Sequence, residues 1–255
     1  MRSHDTPDPA RQTGSVQSVD RALDLLECLA AAGEPLGVVD LAERTGLPQG
    51  TAHRLLQTLQ ARGYVRRGEA RKYTVGTGAM RLSQAAHRSL ARRASPYLAE
   101  LVALSGETAN LAVLEGDDVV YVAQVSSPHT LRMFAEVGRH VQPHSTAVGK
   151  VLLAGQPRDR ALAVVGRTGL PPRTPATITE PGAFARELDL VAAQGWAADE
   201  QEQETGVRCV AVPLEVGGLV LAAVSVSGPA DRFAGGRDAE LVAAMQRVSR
   251  ALAAG

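Results

Sequence analysis

The chain has 255 residues, of which 45% are hydrophobic and 21% charged, a composition typical of a folded globular protein and not of a disordered or membrane-spanning one. Its two cysteines, Cys28 and Cys209, are too few for a disulfide scaffold or a zinc ribbon and fit a reducing cytoplasm. The net charge of zero hides an asymmetry, because residues 1–94 carry 14 basic and 9 acidic side chains whereas residues 95–255 carry 13 and 18. This asymmetry predicts a polyanionic partner for the front half alone.

Apolar periodicity in the front half predicts three helices after a disordered polar tail, residues 1–14, in which we expect no secretory signal. The predicted helices are Val19–Ala32, with Ser18 as its N-cap, then Val38–Arg44 and Gln49–Arg62. The third helix carries apolar side chains at i, i+3, i+4 and i+7, which must face a core. These side chains are Ala52, Leu55, Leu56 and Leu59.

The connection Thr45–Pro48 between the second and third helices has the length and the glycine of a helix-turn-helix. Small and polar residues at the start of the third helix would let it approach the floor of a DNA groove. The residues of this helix that we expect to contact DNA are Gln49, Gly50, Thr51, His53 and Arg54. Two short predicted strands, Tyr64–Arg67 and Lys72–Val75, form a wing whose basic groups would bind phosphates. Those basic groups are Arg67, Arg71 and Lys72.

A set of sequence blocks stands out in the front half. The blocks are Val16–Leu23, Gly46–Pro48, Thr51–Leu59, Gly63–Val65 and Tyr73–Gly76. They resemble the IclR family of bacterial transcriptional regulators, and the resemblance covers nearly everything after residue 14. It implies a winged helix-turn-helix over 15–76, a linker helix over 77–94 and an effector-binding domain over 95–255. Family members commonly have a basic or hydroxyl residue where this chain has Gln49 and Gly50. Gly50 either serves close backbone contact with DNA or frays the helix, since glycine costs ~1 kcal/mol there.

Hairpins and helices in the back half, without regular alternation of strand and helix, predict an antiparallel sheet flanked by helices, an α+β fold. The predicted strands are Thr108–Leu114, Val119–Val125, Leu131–Ala135, Cys209–Leu214 and Leu219–Ser227. The predicted helices are Thr77–Arg93, Tyr97–Ser105, Thr146–Leu153, Phe184–Gln194 and Asp238–Ala254. Pro96 opens the second of these helices. The family resemblance implies that this half is a GAF-like effector-binding domain.

The back half offers no constellation typical of catalysis. It has no Gly-x-Ser-x-Gly elbow, and Gly76–Gly78 lacks the third glycine of a dinucleotide site. His140 and His144 are four residues apart, but a proline between them argues against a shared helical face for a metal. With His129 they could gather around an ion, although satisfied loop histidines are the preferred interpretation. Nothing in the sequence brings Cys209 to a histidine as a nucleophile. We therefore expect no enzyme activity, no catalytic residues, no cofactor and no metal site.

A second set of blocks matches the family's effector-binding domain in order and spacing. These blocks are Pro143–Lys150, Gly195–Trp196, Asp199–Glu200, Gly206–Pro213 and Ala223–Pro229. In relatives they line one pocket for a small organic acid. The resemblance implies the same pocket at the matching positions of this chain, residue by residue. The positions are Thr130, Met133, Ala147, Val148, Asp199, Val207, Cys209, Ser225 and Ser227. Relatives that hold very small keto-acids tend to have glycine where this chain has Ala147.

The chemistry of these positions suits an organic acid. The loop that enters a helix at Ala147–Gly149 would offer backbone N–H groups and the positive helix end to a carboxylate. Ser225 and Ser227 alternate onto one face of a strand, and both can donate hydrogen bonds. Asp199 would accept from a ligand hydroxyl or amide, and Thr130 and Met133 would form an adaptable wall. Asp199 and Ser227 are the strongest candidates, because a buried acid or hydroxyl without a partner is costly.

These features predict a cytoplasmic, ligand-responsive transcriptional regulator that binds palindromic double-stranded operator DNA as a homodimer or homotetramer, with no membrane partner. A repressor released by a small carboxylate or ureide is the preferred interpretation, and an activator is the alternative. The run from Asn110 to Leu153 looks similar to the family branch that regulates allantoin and glyoxylate use, while sugar-acid and aromatic-acid branches stay open. Two further hypotheses are an enzyme of small acids with an accessory nucleic-acid module and a ligand-independent DNA-binding protein whose back half only oligomerises.

Overall fold

The computed structural model describes residues 15–130, 136–233 and 238–254. The chain divides into two compact units, the first ending at Ala86 and the second beginning at His87. The predicted disordered tail over 1–14 and the predicted strand Leu131–Ala135 lie outside the described residues. Within the described ranges, no helix is both long enough and apolar enough to cross a membrane.

The first unit is a three-helix bundle followed by a two-stranded antiparallel wing. Its elements are α1 (Gln17–Ala32), α2 (Val38–Thr45), α3 (Gln49–Ala61), β1 (Val65–Arg67) and β2 (Tyr73–Val75). Leucines at helical spacing form the core, where Leu25, Leu41 and Leu56 are fully buried. Tyr73 packs into the same core and exchanges two backbone hydrogen bonds with Leu36, which fastens the wing to the bundle. The predicted winged helix-turn-helix is confirmed.

The start of α1 differs from the prediction. Ser18 is not the N-cap, because it lies inside a helix that already begins at Gln17. The capping residue is Val16, whose backbone is extended and whose carbonyl accepts hydrogen bonds from the backbone N–H groups of Val19 and Asp20. A valine provides no capping side chain, so the sequence pattern for an N-cap pointed to the wrong residue.

The two helices predicted on either side of Pro96 are one continuous helix, α4 (Gly78–Ser105). A proline in a helix interior removes one backbone hydrogen bond and costs ~3 kcal/mol. Packing offsets that cost, because Ala94, Leu98 and Leu101 recur on one face around the proline and are almost completely buried in the core of the second unit. Tertiary burial therefore overrides the local signal for a helix boundary.

The second unit is built on a six-stranded antiparallel sheet with the strand order β5-β4-β3-β8-β7-β6. The strands are β3 (Thr108–Glu115), β4 (Asp118–Val125), β5 (His140–Val141), β6 (Ala197–Glu200), β7 (Val207–Val216) and β8 (Leu219–Pro229). The described helices that follow α4 are α5 (Ala147–Ala154), α6 (Arg158–Thr168), α7 (Pro181–Gln194) and α8 (Asp238–Ala254). The predicted α+β class, with helices flanking an antiparallel sheet, is confirmed.

Helices pack against both faces of the sheet. On one face, α8 and the C-terminal part of α4 bury side chains such as Met245 against Val210 of β7. On the other face, α5 packs through residues such as Val148 against Cys209 of β7. The period-two alternation of the strand produces this division, because neighbouring residues point to opposite sides. We call the side that carries Cys209 the α5 face.

A β-bulge in β4 changes which residues share the α5 face. The residue opposite Ala112 is Tyr121 and the residue opposite Leu111 is Ala123, so Val122 is left without a partner on β3. Beyond the bulge, Gln124 pairs with Asn110. Simple alternation would place Gln124 and Tyr121 on opposite faces, whereas the bulge brings both to the α5 face.

Among the described α-helices and strands, α6, β5 and β6 were not predicted. The strand β6 has the sequence Ala-Ala-Asp-Glu, and these residue types are depleted in strands. It is a strand because the edge of β7 supplies backbone partners, with Asp199 opposite Cys209 and Ala197 opposite Ala211. Pairing with a long neighbour therefore decides its conformation.

Candidate DNA-binding surface and effector site

The face of α3 that is turned away from the core carries the residues expected to contact DNA. Gln49, Gly50 and Arg54 are exposed, and Thr51 and His53 are half-buried beside them. A Cβ atom added to Gly50 would meet no atom within 4 Å, so nothing in the protein requires a glycine at this position. The free space leaves room for another molecule to approach the backbone here.

A groove of about 750 Å³ runs between α1 and α3 within the first unit. Arg21, Arg54 and Arg62 line it together with Thr51 and other polar residues. Three guanidinium groups along one groove create a positive potential, which is the electrostatic character that a phosphate backbone requires.

The wing presents its basic side chains to solvent. Arg67, Arg71 and Lys72 are all exposed, and the guanidinium carbon of Arg67 lies 5.7 Å from the centre of the Tyr73 ring. The turn at the tip places Ala70 and Arg71 in the left-handed region, with φ of 52° and 59°. The basic groups of the wing are therefore accessible to solvent beside a tight turn.

Polar side chains on the α5 face form a row across four neighbouring strands. Thr108 of β3 is opposite Ser227 of β8, Ser227 is opposite Cys209 of β7, and Cys209 is opposite Asp199 of β6. Directly opposite residues in antiparallel strands lie side by side on one face. All four are buried, with Asp199 3% exposed and Ser227 4% exposed. The sheet therefore brings together residues far apart in sequence.

A second row lies beside the first and contains two residues that the sequence analysis missed as site residues. Asn110 pairs with both Gln124 and Ser225 in the strand register. The Nδ2 atom of Asn110 donates to Oγ of Ser227 over 3.0 Å and to Oγ of Ser225 over 3.5 Å. The Nε2 atom of Gln124 donates to Oδ1 of Asn110 over 3.0 Å. An asparagine flanked by apolar residues in a predicted strand was the available signal for this network.

The helix α5 begins at the edge of this polar region. Ala147 and Val148 occupy its first two positions, where backbone N–H groups have no intrahelical acceptor. Thr146 is the N-cap, and its Oγ1 accepts from the backbone N–H of Gly149 over 3.2 Å. A Cβ atom on Gly149 would lie 2.2 Å from the carbonyl oxygen of Pro143, so only glycine lets the preceding loop pack against this helix. The loop and the helix start are thereby held in one arrangement.

Asp199 differs in one respect from its expected role. One of its oxygens, Oδ1, already accepts from the backbone N–H groups of Glu202 over 2.6 Å and of Gln203 over 3.3 Å. The carboxylate therefore holds the turn after β6, and a ligand is not needed to satisfy this oxygen. Burial nevertheless raises the pKa of Asp199 to about 7, with the nearby Glu202 carboxylate adding to the effect.

A buried ion cluster supports the same turn. The Nζ atom of Lys150 donates to Oε1 of Glu202 over 2.5 Å, to Oε1 of Glu187 over 3.0 Å and to the carbonyl of Ala198 over 2.9 Å. Lys150 is 1% exposed, and all three of its N–H groups are used. Lys150 ends the sequence block Pro143–Lys150, and its role in this cluster was not predicted.

Neither Cys209 nor His144 has the environment of a nucleophile and its base. Burial raises the pKa of the Cys209 thiol to about 12, so the sulfur is protonated at neutral pH. Burial also lowers the pKa of His144, whose Nε2 donates to the carbonyl of Pro171 over 3.0 Å. The ring therefore anchors the loop over 142–146 to the segment around Pro171.

The remaining expected pocket residues are Val207, Thr130 and Met133. Val207 is half-buried at the start of β7, and Thr130 is exposed on the bend after β4. Met133 lies outside the described residues. Across the three described ranges, no cluster of three or more His, Cys, Asp or Glu side chains is arranged to hold a metal ion.

The fold and the two sites define a class of protein. A winged helix-turn-helix with basic exposed faces is a DNA-binding unit, and the second unit carries buried polar rows on an antiparallel sheet. Residues 18–69 match the IclR helix-turn-helix domain, and residues 83–254 match the domain described as "Bacterial transcriptional regulator IclR C-terminal". The chain belongs to the IclR family of bacterial transcriptional regulators. The resemblance found in the sequence is confirmed.

Individual relatives cover almost the whole chain. The chain is 36% identical over 248 residues to the HTH-type transcriptional regulator KdgR of Escherichia coli K12, covering 96% of this chain and 94% of KdgR. It is 33% identical over 247 residues to the transcriptional repressor IclR of the same strain, covering 94% and 90%. A crystal structure of an IclR homolog from Microbacterium hydrocarbonoxydans, complexed with 4-hydroxybenzoate, is similar with a TM-score of 0.60 and 25% identity, covering 93% and 98%.

Proposed function

We propose that this regulator is a repressor that binds a palindromic operator through α3 and the wing and is released by a small organic acid. The effector lies on the α5 face, where Ser225, Ser227, Cys209 and Asp199 contact it together with the start of α5. Thr130, Met133, Val207 and the α5 residues Ala147 and Val148 complete the pocket. In this proposal the second unit binds its ligand and does not transform it. Burial keeps the Cys209 thiol protonated, so it does not act as a nucleophile toward the ligand.

The observation that carries the effector proposal is the in-register row of Ser227, Cys209 and Asp199. Two buried hydroxyl groups, from Ser225 and Ser227, lie in the middle strand of these polar rows and can donate to a carboxylate. The N–H groups at the start of α5 and the positive end of that helix add to the attraction for an anion. The complex of a homolog with 4-hydroxybenzoate supports an organic acid as the ligand class, and ureides are the alternative class.

The DNA-binding proposal assigns base contacts and phosphate contacts to different elements. Arg54 and the residues around it, Gln49, Gly50, Thr51 and His53, lie on the exposed side of α3, which would enter the major groove. Arg67, Arg71 and Lys72 of the wing would bind phosphates. A palindromic operator requires two copies of α3, so the functional state is a homodimer or a homotetramer. Because its partner is the bacterial chromosome, we place the protein in the cytoplasm.

The experiment that tests this function selects operator DNA from a genomic library with the purified protein and then measures DNA affinity by fluorescence anisotropy. Organic acids, including 4-hydroxybenzoate, and the ureide allantoin are added in turn. We expect at least one organic acid to weaken DNA binding and to raise the melting temperature, with stabilisation of ~2.7 kcal/mol at one hundred times the Kd.

A pair of variants locates the effector site. Ser227→Ala is expected to raise the concentration of acid that releases DNA, whereas Ser89→Ala, at an exposed position on α4, keeps the wild-type response. If no acid or ureide changes either the melting temperature or the DNA affinity, the second unit is not an effector domain and only oligomerises.

A further inference from the structure

The hydrogen bonds around Asn110 run in one direction. Gln124 donates through Nε2 to Oδ1 of Asn110, and Asn110 donates through Nδ2 to the hydroxyl oxygens of Ser227 and Ser225. An amide has one accepting end and one donating end. Because the Gln124 amide occupies the accepting end of Asn110, the donating end faces the serines. Asn110 is fully buried, so water does not compete for these bonds.

This direction determines which hydrogen bonds the serine hydroxyls can still make. A hydroxyl group has one proton to donate and two lone pairs that accept. Since each serine oxygen already accepts from Asn110, its proton points elsewhere on the α5 face. The Cys209 sulfur lies within reach of both hydroxyls, and their hydrogen bonds lower the pKa of its thiol against the larger effect of burial. In the free protein both protons thus have a weak acceptor, which a stronger acceptor can replace.

We propose that Asn110, oriented by Gln124, is a positioning residue that makes Ser225 and Ser227 hydrogen-bond donors and thereby selects anionic effectors over neutral ones. The inference rests on the proposed function, because it requires that the effector occupies the α5 face. A carboxylate only accepts hydrogen bonds, so it matches two hydroxyls that are held as donors. A carboxamide has one accepting oxygen where a carboxylate has two, so its N–H group would face a hydroxyl that is already held as a donor. Asn110 acts through the serines and does not need to touch the ligand.

The test compares matched acids and amides on the full-length protein. The probes are the pairs lactate and lactamide, gluconate and gluconamide, and 4-hydroxybenzoate and 4-hydroxybenzamide, each titrated by calorimetry. Wild-type protein is expected to bind the acid of at least one pair more tightly than the amide. In Asn110→Asp, a side chain of the same shape accepts where Asn110 donated, so the serine protons turn toward it. We expect the ratio of acid affinity to amide affinity to fall by about tenfold or more, the range that one hydrogen bond to a charged group supplies.

A second variant keeps the test valid if a buried aspartate prevents folding or repels the acid through its charge. Gln124 is only half-buried, and Gln124→Met removes the donor that orients Asn110 without adding charge. The Asn110 amide can then turn over, and the acid-to-amide ratio is expected to fall in this variant too. Gln156→Met, at a half-buried glutamine outside the α5 face, is the matched control and keeps the wild-type ratio.

The outcomes separate this inference from the proposed function. A wild-type protein that binds none of the acids overturns both. A wild-type protein that prefers an acid, with variants that keep the same ratio, overturns the role of Asn110 and leaves the effector site standing. Equal losses of acid and amide affinity in both variants would mean that Asn110 only supports the structure, and this result also overturns the inference. A fall in the ratio in both variants, with the Gln156→Met control unchanged, is the result that supports it.

Discussion

The Nζ atom of Lys150 lies 2.5 Å from Oε1 of Glu202, and Lys150 is 1% exposed. A second carboxylate, that of Glu187, is 3.0 Å from the same ammonium group. Removing one partner of a buried ion pair leaves an uncompensated charge, which typically costs ~3–5 kcal/mol. We therefore expect Lys150→Met to lower the free energy of unfolding of the second unit by about that amount, measured by urea denaturation followed by circular dichroism.

The matched control is an exposed ion pair in the same unit. Arg167 contacts Asp117 over 2.7 Å, and its side chain is 57% exposed. Exposed pairs contribute ~0–1 kcal/mol, so Arg167→Met is expected to change stability little. Equal losses in the free energy of unfolding of the two variants would mean that burial does not increase the contribution of the Lys150 cluster to stability.

Asp199 makes the stability of the second unit depend on pH. Its pKa is raised by burial from 3.8 to about 7, so the folded protein holds a proton that the unfolded chain releases between these values. The stability associated with this proton is complete below about pH 4 and is lost as the pH rises through 7. Asp199→Asn imitates the protonated form and still offers Oδ1 to the turn. We expect the variant's advantage over wild type to grow between pH 4 and 7, by up to about 4 kcal/mol at 1.36 kcal/mol per pKa unit.

The measurement is urea denaturation of both proteins at half-unit steps from pH 4 to pH 8. If the two stability curves stay parallel over this range, Asp199 is ionised in the folded protein and its burial has no energetic consequence. A difference that shrinks as the pH rises would have the wrong sign for a raised pKa and would also contradict the prediction.

Amphipathic helices were the part of the fold that the sequence predicted best. The apolar face of α8 is regular along its whole length, and the helix runs from Asp238 to Ala254 as predicted. The start and turn of α3 also follow the prediction, since Gly46 adopts the left-handed conformation that ends α2. In these elements a local pattern decides the structure, because one face is buried and the other is solvated.

The polar network of the α5 face could not be predicted from local pattern. Gln124 joins it only because the bulge at Val122 reverses the alternation of β4. Lys150 finds its carboxylates 37 and 52 residues further along the chain, a distance over which sequence spacing carries no information. The family resemblance placed Ser225, Ser227 and Asp199 on one site, yet it assigned no role to Asn110.

Arg54 is predicted to provide sequence-specific contacts from the exposed side of α3. An arginine that binds a guanine through two hydrogen bonds contributes ~1–3 kcal/mol of discrimination. We expect Arg54→Ala to lose that amount of operator affinity and to relax the preference at one base pair, as measured by gel shift on a set of single-base operator variants. Gln60→Ala is the control, because Gln60 is exposed on the same helix about 120° away from Arg54. An unchanged base preference in Arg54→Ala would contradict the assignment.

The wing is predicted to supply affinity without sequence preference. Arg67, Arg71 and Lys72 are exposed near its tip, and each phosphate contact contributes ~0.9 to the slope of log affinity against log salt. Replacing all three with alanine should reduce that slope by about 2.7 and weaken specific and non-specific DNA alike. Fluorescence anisotropy at several salt concentrations measures the slope.

A triple variant of the second unit controls for the loss of three positive charges. Arg158, Arg160 and Arg186 are exposed on α6 and α7, and replacing them with alanine changes the net charge equally. We expect this variant to keep the wild-type slope. Equal slopes in the two triple variants would mean that the wing makes no phosphate contacts.

Gly50 is the second residue of α3, and the structure leaves open space around it. If the glycine only frays the helix, alanine at this position raises the stability of the first unit and leaves DNA binding unchanged. If the backbone lies close to a groove floor, the same methyl group blocks that approach. The two interpretations of Gly50 therefore predict the same change in stability but different results for DNA binding, namely no change or a loss.

We expect Gly50→Ala to raise the stability of the first unit by up to about 1 kcal/mol, because alanine is the better helix former. We also expect it to weaken operator binding, since the added Cβ atom points into the space that the DNA would fill. Gly182→Ala is the matched control: Gly182 is the exposed second residue of α7, and a Cβ atom there would meet only a nitrogen of the Arg186 side chain, at 3.7 Å. This control should gain stability in the same way and bind operator as the wild type does. Thermal denaturation measures the change in stability, and fluorescence anisotropy measures operator binding. Undiminished operator affinity in Gly50→Ala would mean that the glycine only frays the helix.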